Sequence, residues 1–300
     1  MHLRLLLNGK SCDRDDVREA VALAREQGVV IEVRVLWEDG DTLRYTQEAA
    51  AAGVQRLVAA GGDGTLNEVV NALMQLDDAQ RPILGVLPLG TANDFATACA
   101  VPASLFAALM IAAKSPPRPI DVLQINERYC LNVASIGFGA EVTANTPAEL
   151  KAAFGGAAYA LMAAAMALNF QPKRVAVSMD AFCEPVIAVV PCIANGRLAG
   201  GGKLVAPNAL LDDGLLDVFV VHRFELQDVA GLIQDLRDLS SEGEFVSYHQ
   251  APWIEIDSAE LFAVNLDGEP ICEQTLRAQV VGHAIRFAAP PDCPLLSPTT

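Results

Sequence analysis

Positive charge is scarce in this chain. Its 300 residues carry 21 Lys plus Arg against 37 Asp plus Glu, a formal net charge of −16. That balance excludes a nucleic-acid partner, whose phosphates need a basic face. It also works against tight electrostatic docking on an anionic membrane. Histidine is almost missing: His2, His222, His249 and His283 form no metal-spaced pair. The 7 cysteines are odd in number, scattered from Cys12 to Cys293, and include no C-x-x-C. They read as reduced thiols of a cytoplasmic protein, not as a disulfide framework. The first apolar run, Leu5-Leu6-Leu7, stops at Asn8-Gly9-Lys10, too soon for the core of a signal peptide. Internal repeats are absent, and the one biased tract is the Ala-rich stretch Ala152 to Asn169. That stretch is uncharged, but its alanines and Gly155-Gly156 give little drive for insertion into a bilayer, so it reads as a packed helix.

Apolar material is plentiful, at 52% hydrophobic residues. The length suits two domains, and the composition supplies a core for each. The first third alternates strand-like and helix-like segments. Leu3–Leu7, Val29–Leu36, Val54–Ala60 and Ile83–Leu87 are apolar, strand-like runs. Between them lie three predicted helices. The first is capped by Asp13, carries Val17, Ala20, Val21 and Ala24 on one face, and ends at Gly28. The second starts at Asp41 and ends near Gly53, and the third runs from about Thr65 to Leu76. A fourth helix is expected from about Ala92. This order predicts an open parallel sheet with helices on both faces and ligands at the carboxyl ends of its strands.

Ser115-Pro116-Pro117-Arg118-Pro119 reads as a linker. Beyond it short β-rich runs dominate: Ile120–Ile125, Tyr129–Ala134, Arg174–Met179, Val186–Ala194, Leu216–Val221, Trp253–Ile256, Phe262–Asn265 and Leu276–Val281. Helices are expected near Thr146–Leu168 and Glu225–Leu239. The expectation is an α/β domain over residues 1–119 and a β-rich, sandwich-like domain over 120–300, whose last strand packs back near the first domain.

Two glycine turns carry the chemistry. Gly61-Gly62-Asp63-Gly64-Thr65-Leu66-Asn67-Glu68 follows an apolar strand and opens a helix. Glycines let the backbone approach an anion, and the helix N-terminus offers it free N–H groups. Thr65 adds a hydroxyl, and Asp63 suits holding the loop or a metal. Pro88-Leu89-Gly90-Thr91-Ala92-Asn93-Asp94-Phe95-Ala96 repeats the design. Each segment taken singly also fits an ordinary strand–turn–helix corner, capped by Asp63 in the first and by Thr91 or Asp94 in the second.

These two segments, in order, resemble the diacylglycerol-kinase catalytic domain, and Asn8-Gly9-Lys10-Ser11 resembles that family's opening nucleotide loop. The resemblance extends to Asn195-Gly196-Arg197 with Gly200-Gly201-Gly202, to Pro207-Asn208-Ala209 with Asp212-Asp213-Gly214-Leu215, and to Asn265-Leu266-Asp267-Gly268-Glu269-Pro270. The full set is similar to the YegS-like bacterial lipid kinases and implies a Rossmann-like first domain. Carried over by position, it implies ATP binding by Leu36, by Gly62, Asp63, Gly64, Thr65, Leu66, Asn67 and Glu68, and by Thr91. Leu36 departs from the family, where a Thr is usual. Leu210, Asp213 and Leu215 match its metal site, which suits Mg²⁺ or Ca²⁺ through a carboxylate and two carbonyls. Glu269 matches its proton acceptor, with Asp267 assisting. Without the family, Asp213-Gly214 and Asp267-Gly268 read as hairpin turns. So acidic a chain that handles polyphosphate is expected to use bound Mg²⁺ in place of a Lys/Arg cradle.

The expected activity is transfer of the γ-phosphate of ATP to a hydroxyl lipid such as diacylglycerol or phosphatidylglycerol. The setting is the cytoplasm, with transient contact at the inner face of the membrane and a role in phospholipid biosynthesis. The Ala-rich segment with Phe154, Tyr159, Met162, Met166 and Phe170 reads either as core packing or as an apolar wall for the lipid. The competing readings are a soluble kinase related to NAD kinase or phosphofructokinase, and a nucleotide-binding regulator without catalysis.

Overall fold

The computed structural model describes residues 2–136, 173–179, 182–189, 192–222, 228, 231, 234–235, 238–266 and 269–298. The chain divides into two compact units. The first comprises Met1–Val122, Leu211–Asp213 and Val281–Thr300, the second Leu123–Leu210 and Gly214–Val280.

In the first unit, β1 (His2–Asn8), β2 (Val30–Leu36), β3 (Arg56–Gly61) and β4 (Ile83–Pro88) form a parallel sheet in the order β2-β1-β3-β4. The expected open α/β architecture is the observed one. Leu3, Leu5, Leu6 and Leu7 are all buried, as befits a strand covered on both faces. The helices are α1 (Asp15–Glu26), α2 (Asp41–Ala51), α3 (Asp63–Met74), α4 (Asp94–Ala98) and α5 (Leu105–Lys114). Val17, Val21 and Ala24 of α1 share one core with Ala108, Leu109 and Ala112 of α5 and with Leu3, Leu5 and Leu7 of β1. The pair α2 and α3 packs together on the same sheet. Arg56, buried at the start of β3, donates to the carbonyls of Ala112 and Ser115 and so satisfies the end of α5.

The last residues of the chain complete this unit. Phe287 pairs in parallel with Leu84, and its ring meets Phe95 edge-on at 5.5 Å. Arg81 donates to the Ala284 carbonyl at 2.7 Å. Asp212 accepts from the Ser297 N–H, the Ser297 hydroxyl and Arg118, which fixes the tail beyond Leu295.

The strands that follow are β5 (Pro117–Ile125), β6 (Arg128–Cys130), β7 (Val133–Ile136), β8 (Lys173–Met179), β9 (Phe182–Val189), β10 (Cys192–Ala194), β11 (Leu198–Ala199), β12 (Lys203–Leu204), β13 (Leu216–His222), β14 (Val246–Ala251), β15 (Trp253–Leu266) and β16 (Glu269–Ala288). In the second unit β15, β7, β10, β13, β9 and β8 are successive antiparallel neighbours, and β8 pairs again with β15. A register shift between Asp257 and Phe262 lets one strand serve two partners. Its first half lies on β8 and its last residues lie on β7. Alternate residues of β13 feed two cores: Val218 and Val220 join Ile193 and Ile254, while Phe219 and Val221 join Ala206 and Tyr248. This is the antiparallel, sandwich-like second half that the β-rich runs predict.

Several local expectations differ from the structure. Asp13 does not cap α1. Arg14 holds the cap position without a side-chain bond, and Asp16 accepts the Val17 N–H instead. Pro117-Arg118-Pro119 is no linker but the start of β5, a position where proline costs no ladder bond. The single helix expected from Ala92 is two, α4 and α5, separated by Ala100 at φ +57. The runs Trp253–Ile256 and Phe262–Asn265 belong to one strand, β15. The helix expected over Thr146–Leu168, with the Ala-rich segment, lies outside the described residues. Of the helix expected over Glu225–Leu239, the described residues Gly231, Gln234, Asp235 and Asp238 are helical.

Candidate active site at two interlocked glycine turns

Parallel strands bring their carboxyl ends to one edge of the sheet. The registers Asn8–Leu36, Leu7–Ala60 and Gly61–Pro88 line up Leu36, Asn8, Gly61 and Pro88 along that edge. Strand order changes direction at β1, which is the switch point where open α/β sheets bind ligands. Asn8 ties the point together. Its Nδ2 donates to Thr65 Oγ1 at 2.8 Å, and its Oδ1 accepts the Lys10 N–H at 3.0 Å. A Cβ on Gly9 would stand 2.7 Å from the Leu36 carbonyl oxygen, so only glycine lets β1 turn this close to the end of β2.

The first turn places Gly62 at the N-cap of α3, where it offers no side chain to the helix amides. Those amides are therefore available to an anion. Thr65, Leu66 and Asn67 are buried, whereas Gly64 and Glu68 are exposed and Gly62 and Asp63 are half-buried. Glu68 accepts from the Thr42 hydroxyl at 3.0 Å, which joins α3 to the first turn of α2. The Asn67 carbonyl accepts from Asn71.

The second turn leans on the first. A Cβ on Gly90 would lie 2.5 Å from the Gly62 Cα, so the two backbones touch. Asn93 takes the left-handed conformation at φ 51 and closes the turn on Gly90. Its Oδ1 accepts the Gly90 N–H at 2.9 Å, and its Nδ2 donates to the Gly90 carbonyl at 2.7 Å. The cap of α4 comes from neither Thr91 nor Asp94. The Asp63 carboxylate accepts the Asp94 N–H at 3.0 Å and the Phe95 N–H at 3.1 Å. Asp63, expected to hold the loop or a metal, thus holds the neighbouring loop. Thr91 stays exposed beside it. Arg14, ion-paired with Asp16 at 2.6 Å, reaches the Leu89 carbonyl and brings a guanidinium to the second turn.

At the outer end of the edge, the chain leaves Leu36 through Trp37 and Glu38. The buried Asp41 carboxylate accepts both of their N–H groups, at 2.7 and 3.0 Å, and meets Arg44. The Glu38 N–H, the Arg44 guanidinium and the Trp37 N–H hold the Asp41 carboxyl down at about 2.

In the second unit, Leu266, Ala134, Ile193 and Val218 form one row across β15, β7, β10 and β13. Glu269 is level with that row, and Asn132, Asn195 and Leu215 lie two or three residues beyond it at the same end of the sheet. Glu269 is the first residue of β16 and pairs with Leu266, while Asp267 lies outside the described residues. The N–H groups of Asn195 and Gly196 both donate to the Asn132 carbonyl at 2.9 Å. The Asn195 and Asn132 side-chain amides donate in turn to the carbonyls of Leu131 and Leu198. Leu210, Asp213 and Leu215 are each half-buried in the run before β13, Asp213 being counted with the first unit, and Gly214 takes φ +75. No cluster of three His, Cys, Asp or Glu side chains occurs among the described residues. Asn8, Asn93 and Asn132 were not assigned roles by sequence reasoning. Asn8 stands in the opening loop motif, whereas nothing in the sequence marks Asn132.

Comparison with known proteins bears on both halves. Residues 2–125 match the diacylglycerol kinase catalytic domain, and residues 132–289 match the YegS C-terminal NAD kinase beta sandwich-like domain. Together they define the class as a kinase, a phosphotransferase of the lipid-kinase type. A "probable lipid kinase YegS-like" of Shewanella frigidimarina is 45% identical over 300 residues, covering 100% of this chain and 97% of that protein. A "probable lipid kinase YegS" of Escherichia coli O1:K1 is 42% identical, covering 97% of each. A solved structure from Bacillus anthracis str. Sterne superposes with a TM-score of 0.77 at 28% identity, covering 97% of this chain and 96% of its own. The chain belongs to the YegS-like lipid kinases of the diacylglycerol kinase catalytic family.

Proposed function

We propose that this kinase transfers the γ-phosphate of ATP to a hydroxyl group of a membrane lipid, with diacylglycerol and phosphatidylglycerol as the acceptors to try first. The observation that carries the reading is the Asp63 bridge. It sets two glycine turns side by side at the switch point of a parallel sheet, with no side chain capping the α3 amides. Backbone held this close accommodates phosphate oxygens where any Cβ would intrude. ATP is placed along Leu36, along Gly62 to Glu68 and at Thr91. The buried members, Thr65, Leu66 and Asn67, act through the turn and helix they build.

In the chemical step the acceptor hydroxyl loses its proton to the carboxylate of Glu269, with Asp267 assisting. Its oxygen forms a bond to the γ-phosphorus as the bond to the β,γ-bridging oxygen breaks and ADP leaves. Leu210, Asp213 and Leu215 offer one carboxylate and two carbonyls, a donor set of hard oxygens that fits Mg²⁺ or Ca²⁺. Such an ion, when bound, supplies positive charge against the phosphate oxygens or stiffens the turn. Asp212 next to it is engaged by Ser297 and Arg118. Among the described residues no helix is long and apolar enough to cross a membrane. The reading is a cytoplasmic enzyme that meets its lipid by transient peripheral contact.

The test is transfer of labelled γ-phosphate from ATP and Mg²⁺ to hydroxyl lipids in mixed micelles, with NAD as a soluble control. Label on a lipid is the expected result. Label on NAD alone would overturn it in favour of a soluble kinase. Glu269→Gln should bind ATP with unchanged affinity and turn over at least about 100-fold more slowly; full turnover in that variant would remove Glu269 as the base.

A further inference from the structure

Trp37 is 76% exposed, more than any other large hydrophobic residue among the described ones. It follows Leu36 directly, on the same sheet edge as the two glycine turns. Adjacent strands lie about 4.8 Å apart, so Leu36 at the end of β2 stands roughly 10 Å, two strand spacings, from Gly61 at the end of β3. That is the span of a ribose and one or two phosphates. The backbone beneath this indole is anchored: the Trp37 main-chain N–H donates to the buried Asp41 carboxylate at 2.7 Å, and that carboxylate also accepts from the Glu38 N–H and from Arg44.

We infer that Trp37 is the platform on which the base of the nucleotide stacks. This rests on the ATP reading above and adds the part of the site that the glycine turns leave undefined. The turns recognise phosphate, and phosphate alone does not distinguish a nucleotide from free polyphosphate. A flat aromatic face two strands away does, because every base has a complementary π-face. Leu36, half-buried beside it with its carbonyl against Gly9, supplies apolar surface and no competing side-chain donor. The anionic chain, at −16, argues against the alternative occupant of an exposed indole, an anionic bilayer.

The chain has 2 tryptophans, so Trp253→Phe leaves Trp37 as the sole indole reporter. Titration of that protein with ADP should quench its emission saturably, while inorganic tripolyphosphate should compete without quenching. Trp37→Phe, which keeps Trp253, should show no such quench. Trp37→Ala should weaken ADP about 10-fold, leave tripolyphosphate affinity unchanged, and raise KM for ATP more than it lowers kcat; Trp37→Phe should recover most of the loss. Equal ADP affinity in Trp37→Ala and the parent overturns the platform and leaves the ATP reading standing. Failure of the parent to bind either ADP or tripolyphosphate overturns both. Quenching or a blue shift with phosphatidylglycerol vesicles, and none with ADP, would make Trp37 a membrane contact and also sink the proposal.

Discussion

The two glycine turns look alike in sequence and differ in what holds them. The first launches α3, a helix of 12 residues whose Leu66, Val69, Val70 and Leu73 are buried. That face packs it onto β3 and α2. The second launches α4, only 5 residues long, through a left-handed Asn93 and with a cap borrowed from Asp63, 31 positions earlier. A helix that short does not persist in isolation. The first turn is thus a support for its neighbour, and the second has its shape only while the first is in place.

Substitutions can break that dependence or sharpen it. The largest loss of stability is expected from Gly90→Ala, whose Cβ meets the Gly62 backbone. Backbone cannot yield as a side-chain tip does, so the change should cost about 3 kcal/mol in denaturant unfolding and abolish ATP binding. Asp63→Ala removes the borrowed cap and should cost about 1–2 kcal/mol, with protease cleavage appearing near Asn93 while α3 stays intact. Asp63→Asn, which keeps an acceptor, should lose less. A pH titration comes next. The Asp41 carboxyl is held at about 2, below its ordinary 3.8, so its contribution is complete above the ordinary value and disappears as pH falls toward 2. The melting temperature of the parent should therefore drop through that window more steeply than that of Asp41→Asn. The smallest effect on stability is expected at Gly64, where a Cβ meets nothing within 4 Å. Gly64→Ala should stabilise the fold by about 0.5 kcal/mol. It should still weaken ADP, because the added methyl stands where a phosphate approaches the α3 amides. A Gly64→Ala protein that binds ADP as well as the parent would place the phosphate elsewhere.

β3 and β4 could be read from the sequence because burial on both faces leaves near-continuous apolar runs, closed by Gly61 and Pro88. The glycine turns could be read because their residues are contiguous. What escaped has more than one cause. Thr91 and Asp94 were the natural candidates to cap α4, and a cap supplied by Asp63, 31 residues away, leaves no local mark. Asp16 is one of three acids among four residues at the start of α1, and in β15 the shift at Asp257/Phe262 splits one strand into two apparent runs. Pro117 and Pro119 looked like a linker because proline punctuates loops far more often than it opens a strand.

The completion of the first unit by Val281–Thr300 has a consequence for synthesis. The four parallel strands have all been made once Pro88 is joined, yet the outer edge of β4 pairs with Phe287, almost at the end of the chain. On a ribosome adding roughly 5–20 residues per second, that edge stays unpaired for roughly ten to forty seconds. For that interval the nascent nucleotide unit carries an open, apolar strand, Ile83–Pro88, of the kind that recruits foreign strands. Vectorial synthesis therefore makes the N-terminal half of this kinase a natural client for chaperones, and it remains one until the final strand arrives.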